Sequence, residues 1–140
     1  MSVNENKATI EQYFHEGIDQ DNRALTAELF ADGAKRHMPG REGNRRDSGT
    51  LPPPRLTTAF RTEIHHLIGE GEIVVARVTH FASYGPGAEY VCQMGTFSCS
   101  EHSLQWDATV VFRFENGKIA EEWINRDELG VLRQLGQVGK

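Results

Sequence analysis

The side chains able to move a proton gather near the C-terminus. In the stretch Lys118 to Arg126, read as a strand, Trp123 and Asn125 share parity with Asp127, so one face presents an indole, an amide and a carboxylate. Set in an apolar pocket, such a carboxylate has its charged form disfavoured. Its pKa rises, and it can take a proton from an activated carbon and return it to an oxygen. Asp127 also stands immediately before a stretch read as a helix, Glu128 to Leu135, where it would accept from the N–H groups of Glu128 to Gly130. That contact lowers a carboxylate pKa, the wrong direction for a base. The two roles coexist if one oxygen caps and the other faces a pocket. Asn125 reads either as a donor to a substrate carbonyl or enolate oxygen, or as a buried amide serving neighbouring backbone.

His80 lies on the apolar phase of Glu72 to Tyr84, with Val74, Ala76, Val78 and Ala82. An imidazole there orients Asp127, polarises a carbonyl or shuttles a proton near neutral pH; the alternative is a core histidine with satisfied nitrogens. Tyr13, Phe14, Trp106, Phe112 and Trp123 are either flat walls for an aromatic or polycyclic ligand, or simply core. Other chemistries lack their residues. His65 and His66, adjacent on one strand, are expected to point to opposite faces, and no acidic or imidazole set has metal-ligand spacing. The sequence has no nucleophile elbow and no phosphate loop, and Cys92 and Cys99 read as reduced, structural thiols. The expectation is therefore no metal and no cofactor.

The elements that must position these groups fall into two halves. Ile10, Tyr13, Phe14, Gly17 and Ile18 recur at helical spacing and predict an amphipathic helix over Val3 to Gln20. Asp21 then caps a second helix with Ala24, Leu25 and Leu29 inward, ending near Asp32-Gly33, and a short strand follows over Ala34 to Met38. A Pro/Gly-rich interruption, Met38 to Pro54, includes the cluster Arg41, Arg45 and Arg46, read either as a solvated loop face or as a group that gates a pocket or meets an acidic substrate group. Leu56, Ala59 and Phe60 give one or two helical turns. Beyond them period-two alternation predicts strands over Thr62 to Ile68, Glu72 to Tyr84, Glu89 to Ser100, Ser103 to Glu115 and Lys118 to Arg126, the last two joined by the hairpin signal Asn116-Gly117. Helices first and an antiparallel meander after them make an α+β domain. Val74, Ala76, Val78, His80, Ala82 and Tyr84, with Leu104, Trp106, Ala108, Val110, Phe112 and Phe114, form the helix-side faces. The opposite faces mix Arg77, Thr79, Asp107, Thr109 and Arg113 with Ile73, Val75, Phe81 and Val111, a composition suited to a homodimer interface.

Length and charge set the outer bounds. With 140 residues, 38% hydrophobic and 25% charged, residues 1–140 are expected to form one domain. Fifteen basic against twenty acidic residues, a net charge of −5, disfavour nucleic acid or an anionic membrane as partner. No run reaches the length of a membrane helix, and the first residues lack the pattern of a secretory signal, so a cytoplasmic location is the expectation.

The last arm, Glu115-Asn116-Gly117-Lys118-Ile119-Ala120-Glu121-Glu122-Trp123 followed by Asp127 and Leu129-Gly130-Val131-Leu132-Arg133-Gln134-Leu135-Gly136, resembles the C-terminal signature of SnoaL-like polyketide cyclases, in the nuclear-transport-factor-two-like superfamily. His37-Met38-Pro39 and Val74-Val75-Ala76-Arg77 extend the resemblance along the chain. It implies a cone, in which three N-terminal helices lie against a strongly curved, mostly antiparallel sheet with a short C-terminal helix and an apolar pocket between the layers. It also implies an aldol ring closure of a polyketide-type β-keto ester without a cofactor, with Asp127 as general acid/base, His80 as its partner and His37 at the pocket mouth. A ketosteroid-isomerase-like proton transfer, or a non-catalytic binding or dimerisation module, are the alternatives on the same fold. The ligand expected is small and hydrophobic: polyketide-, steroid- or terpenoid-like.

Overall fold

A computed structural model describes residues 2–40, 45–46 and 56–139. Arg41 and most of the Pro/Gly-rich interruption lie outside the described residues. The chain opens with helix α1, Val3–Gln12, started by a capping box: the Glu5 N–H donates to Ser2 Oγ and the Ser2 N–H donates to Glu5 Oε1, both at 3.0 Å. It runs on as a single π-helical segment, Tyr13–Ile18, whose buried side Tyr13, Phe14 and Gly17 supply. Helix α2 covers Arg23–Leu29, and its N-cap is Asn22, whose Oδ1 accepts from the Leu25 N–H at 3.1 Å. Asp21, expected in that role, instead takes a left-handed φ of +49° in the preceding turn. The helix also stops short of Asp32-Gly33, because Phe30 turns extended and opens strand β1, Phe30–His37.

Arg45–Arg46 forms a two-residue strand, β2, on the edge of β1. The helical turns expected at Leu56 to Phe60 are strand instead: β3 is a single long arm, Thr57–Glu70, paired with β4, Ile73–Tyr84. The stretch Glu89 to Ser100, expected as one strand, folds back at Gln93-Met94 into a separate hairpin, β5 (Glu89–Cys92) and β6 (Gly95–Ser98). Gly95 makes this possible with a φ of +123°. Strands β7, Ser103–Glu115, and β8, Lys118–Arg126, follow the Asn116-Gly117 turn as the sequence predicts, and helix α3, Glu128–Gln134, closes the chain. The main sheet runs β2-β1-β8-β7-β4-β3, antiparallel except for β1 against β8, and curls as a cone around the N-terminal helical segments.

Register decides which side chains enter that cone. Strands β4 and β7 pair without a slip from Ile73 opposite Arg113 to Ser83 opposite Ser103, so Val74, Ala76, Val78, Phe112 and Phe114 are buried inside as their alternation predicts. The flanks are interrupted. In β3 the pairing passes from His66 opposite Arg77 to Ile64 opposite Val78, which leaves His65 as an extra residue. His65 and His66 consequently do not alternate: His65 Nε2 lies 2.7 Å from Thr79 Oγ1 on the outer face, and His66 pairs with outward Arg77. In β8 the pairing passes from Ile119 opposite Phe114 to Glu121 opposite Arg113, which leaves Ala120 extra. One added residue moves every later side chain to the other face. Ile119 stays inside, and beyond the bulge Glu122 and Ile124 are buried inside with it.

Candidate functional site

Between the helical segments, the inner sheet face and the β5–β6 hairpin lies a cavity of about 480 Å³. Tyr13 and Phe14 from the π-helical segment, Phe60 from β3 and Trp106 and Phe112 from β7 give it aromatic walls; Val110 and Ile124 add aliphatic ones. Its polar lining comes from His80 and Tyr84 on β4, Thr57 on β3, Arg36 on β1, Glu122 and Arg126 on β8, Glu89 and Tyr90 on β5, and Asp21, Arg23 and Thr26 around the start of α2. This is the common form of a small-molecule site, apolar walls with aimed polar atoms.

His80 is the best-organised of these. The residue is 8% exposed, and its ring sits 5.3 Å from Phe60, 5.5 Å from Trp106 and 5.9 Å from Phe14, centroid to centroid. Its Nδ1 is 2.8 Å from Thr62 Oγ1, directly across the β3–β4 pair. The Thr62 hydroxyl donates in turn to Asp19 Oδ1 at 2.7 Å, and the Thr62 N–H donates to Asp19 Oδ2 at 3.0 Å. A hydroxyl has one proton and a carboxylate only accepts, so that proton is committed to Asp19. Nδ1 must then be the donor to Thr62, which in the neutral ring leaves the lone pair on Nε2. Asp19 can fill this role because the π-helical segment ends on it, its N–H closing back to the Phe14 carbonyl. Such wide helical turns recur at functional sites. Neither Asp19 nor Thr62 carries a sequence signal, since Thr62 faces inward only because His65 bulges.

Elsewhere in the cavity, Glu122 is 1% exposed and its Oε1 lies 3.2 Å from Arg36 Nε, an ion pair by distance whose direction is not that of a hydrogen bond. Arg126 lies with its guanidinium carbon 4.7 Å from the centre of the Tyr90 ring, held by Glu128 and the Val91 carbonyl. Sequence reasoning passed over Glu122, Arg36, Tyr90 and Arg126; a charged residue at an inner strand position is the one signal available, and it is readable only once the register is known.

Of the residues expected in a site, His80, Tyr13, Phe14, Trp106 and Phe112 do line the cavity. His37, Trp123, Asn125 and Asp127 are not brought to it. The Ala120 bulge turns Trp123 and Asn125 to the outer face, and His37, paired with Trp123 across the parallel β1–β8 ladder, goes with them. There His37 stacks on Trp123 at 5.3 Å and 14°, and its Nε2 is 2.6 Å from Glu121 Oε2. The His37 contact, followed by the Arg113 guanidinium, holds the Glu121 carboxyl below its ordinary value. Asp127 is exposed, and its Oδ1 accepts from the Gly130 N–H at 2.9 Å, so it performs the capping role. Among the described residues no three His, Cys, Asp or Glu side chains come together as a metal-binding set, and no helix is long and apolar enough to cross a membrane.

A cone-shaped α+β domain with an aromatic cavity between its layers has the nuclear-transport-factor-two-like fold. Within that class the model of the SnoaL-like polyketide cyclases matches residues 8–135, and the chain belongs to this family. No curated protein matches the sequence. Among the solved structures that share the fold at low identity, three illustrate the range. One, described as a polyketide cyclase of Acidithiobacillus ferrooxidans, aligns with TM-score 0.75 and 19% identity over 99% of this chain and 100% of that one. AclR of Streptomyces galilaeus, described as a hydroxylase, gives TM-score 0.73 and 18% identity over 99% and 89%. An epoxide hydrolase of M. tuberculosis, of the type abbreviated LEH, gives 0.67 and 15% over 96% and 92%. Three different reaction names on one architecture leave the chemistry to the residues of the cavity.

Proposed function

We propose that this chain is an enzyme of proton transfer at carbon, acting on a small hydrophobic carbonyl compound in the cone cavity, with His80 rather than Asp127 as the acid/base. The observation that carries the reading is the chain His80–Thr62–Asp19 at an aromatic wall, because it sets the tautomer and orientation of a base that faces the cavity. In an aldol ring closure, Nε2 takes a proton from the carbon between a ketone and an ester. The enolate carbon attacks a second carbonyl of the same molecule to form the C–C bond, and the imidazolium returns the proton to the new alkoxide. Nothing is lost or gained overall. Asp19, through the Thr62 hydroxyl, stabilises the imidazolium while it exists. A ketosteroid-isomerase-like allylic shift uses the same first step and returns the proton to carbon. A second reading, addition of water to an epoxide, draws support from Glu122 and Arg36, a buried carboxylate beside a partly exposed guanidinium in the cavity. The outer sheet face is the proposed homodimer surface.

The test is deuterium exchange of the methyl protons of 2-acetylnaphthalene in D2O, followed by NMR. Wild type should catalyse exchange, and His80→Gln should lose about 10²- to 10⁴-fold of it, the usual worth of a positioned acid/base. Equal rates in the two proteins would refute the role of His80.

A further inference from the structure

The β5–β6 hairpin carries a side chain whose position the proton relay does not explain. Tyr90 is 4% exposed and lines the cavity, yet its Oη makes no hydrogen bond among the described residues. Buried hydroxyls nearly always have a partner, and one left without is destabilising unless something else supplies the acceptor. The hairpin around it is firmly tied. Glu128 Oε1 accepts from the Gln93 N–H at 3.1 Å and from Gln93 Nε2 at 3.0 Å, while Glu128 Oε2 holds Arg126, whose guanidinium lies on the Tyr90 ring. At Gly40, a Cβ would come within 2.8 Å of Gln93 Cα, so the Gly40 backbone packs directly on the hairpin turn. An unsatisfied hydroxyl is thus held in place by its neighbours, which is the arrangement of a preorganised donor.

We propose that Tyr90 Oη is the hydrogen-bond donor to a carbonyl oxygen of the ligand, so that the cavity selects hydrophobic ketones and esters over hydrocarbons of the same shape. The proposal deepens the proton-transfer reading and rests on it for the identity of the acceptor. The register supports a joint arrangement. His80 pairs with Trp106 and Arg126 with Ala108, so His80 and the Arg126 that carries Tyr90 stand on the two strands flanking β7, offset by one inward repeat. In a flat sheet that is about 10 Å across and about 7 Å along, and curvature shortens it. A ligand can therefore offer its oxygen to Tyr90 at one wall and an acidic carbon to His80 at the other. Burial pushes the Tyr90 phenol well above its ordinary value, so it remains a donor throughout the neutral and mildly alkaline range.

The test compares 2-acetylnaphthalene with 2-isopropylnaphthalene, which keeps the shape and removes the oxygen, by quenching of tryptophan fluorescence in wild type, Tyr90→Phe and His80→Gln. Wild type should bind the ketone about fivefold more tightly than the hydrocarbon, the value of one neutral hydrogen bond. In Tyr90→Phe the preference should vanish by weakening of the ketone alone, and the variant should melt at or above the wild-type temperature. Absence of a ketone preference in wild type, its persistence in Tyr90→Phe, or a lowered melting temperature or failure to fold of that variant would each overturn the proposal. His80→Gln should keep the preference while losing exchange. Lost preference with intact exchange sinks the Tyr90 subsite alone, and intact preference without exchange sinks the role of His80 alone.

Discussion

Between Ile73 and Ser83, β4 meets β7 residue for residue, whereas β3 and β8 on either side each take in an extra residue, His65 and Ala120. The central pair behaves as an ideal ladder: alternation sorts Val74, Ala76, Val78 and His80 inward and Ile73, Val75, Arg77 outward without exception. On the flanks, alternation holds only up to the bulge and is inverted beyond it. Both inversions serve the cavity. Without the His65 bulge, Thr62 would pair with outward Phe81 instead of His80; without the Ala120 bulge, Trp123 would pair with inward Val110, and Glu122 and Arg126 would face out. The regular pair supplies apolar walls and His80, while Thr62, Glu122 and Arg126 are turned inward by the irregular strands, in keeping with the concentration of bulges where strands must re-aim a side chain.

The largest effect should come from inserting one alanine between Glu122 and Trp123. With the Ala120 bulge kept, the insertion turns Trp123 and Asn125 inward and expels Ile124, so a loss of about 5 kcal/mol or more is expected, enough to abolish the cooperative thermal transition. A variant that melts like wild type would show that the register beyond the bulge is not fixed. A smaller pair of effects contrasts the two carboxylates. Thr62→Val, which cuts Asp19 from His80 on the β3 flank, should lower methyl exchange at least tenfold and flatten its pH profile, with ketone binding retained. Asp127→Ala should leave exchange unchanged and cost about 1 kcal/mol of stability as a lost helix cap. The reverse pattern in kinetics and melting would return the base to Asp127.

The smallest effect concerns the outer face that the bulge creates. Glu121 is held below its ordinary carboxylate value, first by His37 and then by Arg113, so its contribution to stability is present above the unfolded-state value and is lost as pH falls through the lowered folded-state value. The difference in melting temperature between wild type and Glu121→Gln should therefore shrink as pH falls from about 5 to about 3. A difference that stays constant over that window would mean that the His37–Glu121 contact carries no net charge interaction.

Much of the fold was legible. Helical spacing at Ile10, Tyr13 and Phe14, the Asn116-Gly117 hairpin and the inward phases of β4 and β7 are local patterns, set by side-chain periodicity and turn chemistry that act within a few residues of chain. They placed His80, Tyr13, Phe14, Trp106 and Phe112 where the cavity has them. The misplacements share a cause. Trp123, Asn125 and Asp127 take their expected face from counting along β8, and a count cannot register an inserted residue that has no glycine or other mark to announce it; His37, expected at the pocket mouth from the resemblance alone, follows Trp123 to the outer face.

What the sequence determined by itself was therefore the division into leading helices and following strands, the apolar faces of the central strands and the capping capacity of Asp127, because each follows from neighbouring residues. The tertiary structure alone decided which carboxylate serves which histidine. Asp19 reaches His80 through Thr62 across 43 and 18 residues of chain, and only the bulged pairing of β3 with β4 brings the three together. Register between strands is settled by burying the whole sheet at once, and no single segment holds that information.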